Sequence, residues 1–167
     1  MQEGNAEALP FPANQFDVTV ACTVLEEGDA DRMLAELVRV TKPGGRVGVI
    51  VWALDMPRWV NLPLSASLKA KVDAPGLIGA GVGVRRCADA SLYRRCVTSG
   101  LTRLTVLLQL AAVTSAEPQM AGLQQQLLAT LSPEEAQEWR HAVAQAEAED
   151  TFFIGQPQHS TGRLRPE

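Results

Sequence analysis

Residues 16–22, Phe-Asp-Val-Thr-Val-Ala-Cys, form a short β-branched run behind Pro12-Ala13-Asn14-Gln15, the pattern of a buried strand. Beyond it, Met33, Leu34, Leu37 and Val38 recur at helical spacing, and Asp29 or Asp31 stands where an N-cap belongs. Lys42-Pro43-Gly44-Gly45 ends that helix. Pro in the second and Gly in the third position suit a type II turn, whose third residue takes positive φ. Residues 46–52, Arg-Val-Gly-Val-Ile-Val-Trp, are apolar on both faces, which marks an interior parallel strand. Strand, helix and strand predict a βαβ unit with a right-handed crossover.

The remaining pattern predicts an irregular, partly helical insert over 53–86, punctuated by Pro57, Pro63 and Pro75. Asp89 caps a helix that stops at Gly100, and 101–110 reads as a strand. Two helices follow. The second opens on Ser132-Pro133-Glu134-Glu135, a capping box with Pro at the first helical position. Phe152-Phe153-Ile154 starts a last short strand, and the tail from His159 is expected to fray. No internal repeat or low-complexity tract interrupts the chain.

Size and charge narrow the function. At 167 residues, 46% hydrophobic and 20% charged, the chain has ordinary soluble globular composition and length for a real core. A net charge of −4 argues against binding a nucleic-acid backbone, which needs clustered Lys and Arg. There is no 18-residue apolar run to span a membrane, and residues 1–15 lack the pattern of a secretory signal. Cys22, Cys87 and Cys96 are an odd number without metal-type spacing, so reduced thiols in a cytoplasm are the simplest expectation. His141 and His159 have no partner at ligand spacing, and no zinc, Walker or Gly-x-Ser-x-Gly pattern occurs, so no metal site is expected.

Three blocks carry more specific information: Gly4-Asn5-Ala6-Glu7-Ala8-Leu9-Pro10-Phe11-Pro12, then Phe16-Asp17-Val18, then Arg39-Val40-Thr41-Lys42-Pro43-Gly44-Gly45-Arg46. In that order and at those gaps they resemble the second half of a class I S-adenosylmethionine-dependent methyltransferase, of the type 11 or ubiquinone/menaquinone-methyltransferase-like kind. The resemblance implies an α/β fold: an incomplete Rossmann-like sheet made of strands 4, 5, 6 and 7 of the order 3-2-1-4-5-7-6, with flanking helices and only strand 7 antiparallel. Residues 1–162 would be one partial methyltransferase domain, with 54–86 an insert or lid, 115–150 a helical pair before the last strand, and 163–167 a tail. Ligands of open α/β sheets sit at the carboxyl ends of the strands. The resemblance places Asn5 and Ala6 at the adenine of S-adenosylmethionine, Asn5 by side chain and Ala6 by backbone N–H, and Cys22 near the methionine end. Glu27, in Val24-Leu25-Glu26-Glu27, stands where many relatives carry His; it is a candidate base or cation holder, or else a solvated residue at a helix start. Trp52 and Trp59 are candidates to line an acceptor pocket or to pack.

The family's glycine-rich first motif and ribose-binding acid are expected upstream of residue 4. Gly79, Gly81 and Gly83 follow no strand and read as a lid or loop. The implied function is methyl transfer to a small-molecule acceptor, as the C-terminal part of such an enzyme and weak or inactive alone. The alternative is a non-catalytic, partner-binding remnant. On that reading the outer edge of strand 17–22 invites self-association or a complementing N-terminal half.

Overall fold

The computed structural model describes residues 3–75, 83–116 and 118–165. Five strands and five helices follow one another as β1 (Phe16–Cys22), α1 (Ala30–Val40), β2 (Thr41–Trp52), β3 (Trp59–Val60), α2 (Ala66–Asp73), α3 (Ser91–Thr98), β4 (Thr102–Val113), α4 (Pro118–Leu128), α5 (Pro133–Ala148) and β5 (Ile154–Leu164). Strand pairing runs β1-β2-β5-β3, with β4 also on β5. β1 and β2 are parallel, and β5 runs antiparallel to β2. This is the expected mixed sheet: β1, β2, β5 and β4 stand in the order assigned to strands 4, 5, 7 and 6.

The chain divides into two compact units. The first holds residues 1–53, 81–109 and 158–167. Its core is the face of β1 and β2 that carries Ala21, Val47, Val49 and Val51, covered by Leu25, Met33, Leu34, Leu92 and Cys96 of the following loop, α1 and α3. Asp29 is the N-cap of α1, accepting from the Arg32 N–H at 3.1 Å. Thr41 closes the helix from its other end: its buried hydroxyl donates to Leu37 O at 2.6 Å and receives the Thr19 hydroxyl at 2.7 Å. The opposite face of β1 is uncovered, with Val18 57% and Val20 62% exposed. Beside these valines lies a depression of about 540 Å³ lined also by Gly48, Gly162, Thr105 and Arg103.

The second unit holds residues 54–80 and 110–157. Trp139 and Val143 of α5, Met120 and Leu127 of α4, Leu68 and Val72 of α2, and Phe152 and Ile154 form its core. The Ser132–Glu135 capping box is present, with Pro133 at the helix start, and Lys71 of α2 pairs with Glu135 of α5 at 2.7 Å. The insert and the helical pair set apart by the sequence pattern thus share one core.

Three expectations are corrected. β2 begins at Thr41 rather than Arg46, because the turn itself is paired: Gly44 N–H donates to Arg165 O and Arg165 N–H to Gly45 O. The register jumps from Phe16↔Thr41 to Val18↔Arg46, so 42–45 bulge, with Gly44 at φ +74° in the third turn position. The helix before Gly100 is capped at Ala90, although the Asp89 carboxylate still accepts the Ser91 N–H at 2.8 Å. The tail is not frayed through 159–165. His159 is 3% exposed, with Nδ1 2.8 Å from the Tyr93 hydroxyl, and its segment pairs with β2 from Arg46↔Leu164 to Trp52↔Gln158. The Arg165 guanidinium also satisfies terminal carbonyls of α1, Val38 O at 3.0 Å among them.

Candidate functional site

The loop that precedes β1 is fastened along α1. Asn5 Oδ1 accepts the Glu7 N–H at 2.9 Å, and Ala8 N–H closes the turn on Asn5 O at 3.0 Å. Glu7 then reaches forward to accept the Asp29 N–H at 2.7 Å, the donor just ahead of α1. Gly28 makes room for this: a Cβ there would lie 2.6 Å from Glu7 Oε1. Further along, Leu9 N–H donates to Glu36 Oε2 at 2.6 Å, while Arg39 donates to Leu9 O at 3.1 Å and Phe11 O at 2.9 Å. Glu36 and Arg39 bind each other at 2.7 Å, and this hydrogen bond holds the Glu36 carboxyl below its usual range. Asn5 is exposed at the tip, and Ala6 packs on the same core as Val24.

The carboxyl ends of β1 and β2 form the second element. Cys22 ends β1 opposite Ile50, its side chain exposed. Thr23 follows at φ +48°, its N–H donating to Ile50 O at 2.8 Å. A β-branched residue in the left-handed region costs on the order of 1–3 kcal/mol and persists only where its surroundings hold it. The turn this creates carries Leu25 fully into the core and separates the two glutamates. Glu27 faces solvent. Glu26 turns inward: Oε1 accepts the Trp52 N–H at 2.8 Å, at the end of β2, while Oε2 is buried with no hydrogen-bond partner. Burial pushes the Glu26 carboxyl above its ordinary value, only partly offset by the Trp52 N–H, and Glu27 next door adds repulsion.

Sequence reasoning singled out Glu27, whereas of the two carboxylates it is that of Glu26 that turns inward. In an adjacent pair of identical residues only the backbone path decides which one points inward. Of the other candidates, Trp52 is half-buried in the first unit, and Trp59 is 52% exposed in the second, packed edge-on to Phe153 at 5.3 Å. His141 is exposed on α5. The glycine loop assigned as a lid lies, apart from Gly83, outside the described residues. Among the described residues no helix is long and apolar enough to cross a membrane.

Comparison with known proteins bears on the same segment. Residues 1–49 match the family described as "Methyltransferase domain". The ubiquinone/menaquinone biosynthesis C-methyltransferase UbiE of Hahella chejuensis is 40% identical over 80 residues, covering 41% of this chain and 32% of its own length. An uncharacterized protein of Mycobacterium bovis is 46% identical over 55 residues, 32% of this chain and 20% of its own. The crystal structure of the YcgJ protein from Bacillus subtilis superposes with a TM-score of 0.56 at 14% identity, over 99% of this chain and 70% of that one. Residues 1–49 are thus similar to a methyltransferase domain, and the chain shares the fold of solved methyltransferases. A methyltransferase structure from Thermotoga maritima, described as a possible histamine N-methyltransferase, matches at TM-score 0.51 and 15% identity, over 97% of this chain and 62% of that one. The matched part spans about a third or less of the curated relatives' length. The matched residues 1–49 hold the loop, β1, α1 and β2 as far as Val49.

Proposed function

We propose that the chain takes part in S-adenosylmethionine-dependent methyl transfer to a small-molecule acceptor, with the cofactor seated at the carboxyl ends of β1 and β2. The observation that carries this reading is the loop 4–9 tied by Glu7 to the Asp29 N–H and by Glu36 to the Leu9 N–H, beside a strand end bent by Thr23. The residues fit their assigned ends of the cofactor. Asn5 Oδ1 uses one lone pair on the Glu7 N–H and, on an exposed turn, keeps a second lone pair and two donors for a heterocycle. Cys22 presents a small exposed side chain at the strand end, and Ala6 is held by packing.

When bound, the cofactor would supply an electrophilic methyl group on a sulfonium, which the acceptor would take in line as the S–CH3 bond breaks and the neutral thioether leaves. The protein's part is alignment, which is worth up to about 7–11 kcal/mol when both reactants are held. Asn5 and Ala6 orient the nucleoside end through a loop fixed at both ends. Glu26, rather than the solvent-facing Glu27, offers a carboxylate inside the crevice. Chemical-shift perturbation of the Asn5, Ala6 and Thr23 amides by millimolar S-adenosylhomocysteine, abolished by Asn5→Ala, is expected. Titration that leaves all three unmoved would overturn the reading.

A second reading, a partner-binding role through the β1 edge, is favoured by the exposure of Val18 and Val20 over a glycine floor, since parallel sheets ordinarily have both faces covered. Light scattering of the wild type against Val20→Glu separates them. A monodisperse monomer in both would remove this reading.

A further inference from the structure

Glu26 bridges the ends of two parallel strands, the place where open α/β sheets receive ligands. Its position is set from both sides. The left-handed Thr23 turns the chain inward, Leu25 anchors it in the core, and Oε1 is fixed on the Trp52 N–H at 2.8 Å. Oε2 is left buried and without a partner. Buried polar atoms without partners are rare in native proteins and need a reason. No basic side chain makes an ion pair with this carboxylate among the described residues, and the charge nearest along the chain is the like charge of Glu27. A structural acceptor for the Trp52 N–H would not need a second, charged oxygen, since Gln serves the same geometry.

Resting on the methyl-transfer reading, we propose that Glu26 Oε2 is the receiving atom for an ammonium group of the ligand at the carboxyl ends of β1 and β2. Two molecules of that site offer this chemistry: the amino-acid end of the cofactor, and an amine-bearing acceptor. The carboxylate is a positioning and recognition group in either case. It fixes the ammonium at one end of the crevice and raises affinity for cationic over neutral ligands. The burial that lifts its carboxyl group above the usual range also strengthens its attraction to an incoming cation, because few solvent dipoles compete.

The test compares the wild-type chain with Glu26→Gln, which keeps the oxygen that accepts the Trp52 N–H and removes only the charge. Three probes are titrated by NMR: S-adenosylhomocysteine, which has the ammonium; 5′-methylthioadenosine, which lacks the amino-acid end; and histamine. Loss of one charge-assisted hydrogen bond is expected to weaken the affected probe about tenfold to a hundredfold. Weakened S-adenosylhomocysteine with unchanged methylthioadenosine supports the cofactor as the source. Unchanged nucleosides with weakened histamine support an acceptor amine. A variant that binds all three like the wild type overturns the inference. If Glu26→Gln fails to fold, the carboxyl-carbon shift of Glu26 in the wild type decides: movement on adding S-adenosylhomocysteine or histamine, but not methylthioadenosine, supports the assignment, and no movement overturns it. A wild type that binds neither nucleoside refutes the methyl-transfer reading by itself. Histamine moving the Glu26 carboxyl carbon in that same protein would still support the ammonium site.

Discussion

Replacing Arg39 by alanine should release the loop that carries Asn5 and Ala6 without unfolding the first unit. The guanidinium donates to Leu9 O and Phe11 O and to both oxygens of Glu36, which itself accepts the Leu9 N–H. A hydrogen bond with one charged partner contributes roughly 1.5–3 kcal/mol when buried. The Arg39 side chain is 37% exposed, so solvent screening reduces each of the two loop bonds to about 1 kcal/mol. The opening free energy of the loop should therefore fall by about 2 kcal/mol, which is roughly a thirtyfold rise in amide exchange at Leu9. Hydrogen exchange followed by NMR reads this residue by residue, and a urea melt reports the global change. Arg39→Lys should recover only part of the protection, because the three donors of a single ammonium cannot reach the four acceptor atoms that the guanidinium fork serves. Acid should mimic the mutation. The folded value of Glu36 lies below its ordinary 4.5, so its contribution is present above that pH and is lost as pH falls through the depressed value. Leu9 exchange within twofold or threefold of wild type in Arg39→Ala would refute the reasoning and transfer the holding role to Ala6 packing.

Gly45→Ala should cost about 1–3 kcal/mol by overpacking, because its Cβ would lie 2.8 Å from the carbonyl oxygens of both Asp17 and Lys42, backbone that cannot swing aside. Gly44→Ala, open in space but at φ +74°, should cost about 1 kcal/mol; equal or reversed urea midpoints would contradict the close approach. Glu26→Gln should be at least as stable as wild type at pH 7 in a thermal melt. The folded Glu26 value is raised, so ionisation costs the wild-type fold as pH climbs past 4.5, and the gap should close towards pH 4; a variant clearly less stable at pH 7 would sink this. Tyr93→Phe removes the 2.8 Å bond to the His159 ring while leaving the edge-on ring contact. It should lower stability by about 1–2 kcal/mol, and an unchanged melting temperature would show that the bond contributes nothing.

Period and turn chemistry alone located β1, α1, α5 and the turn at Gly44, because each is decided within a few neighbouring residues. An N-cap needs its donor N–H three positions away, and a type II turn needs glycine in one place. The loop at Asn5 was legible for a different reason, since its spacing to the two later blocks resembled a known family. What stayed hidden depends on residues distant in the chain. The segment after His159 is polar and ends the sequence, and it becomes a buried strand only because β2 and β4 flank it and Arg165 finds carbonyls at the end of α1. The turn 42–45 counts as strand only because that same tail returns to pair with it. The choice between Glu26 and Glu27 was beyond any pattern, for the two are chemically identical. A left-handed Thr23 and a backbone amide of Trp52, 26 residues further on, decide which carboxylate turns inward.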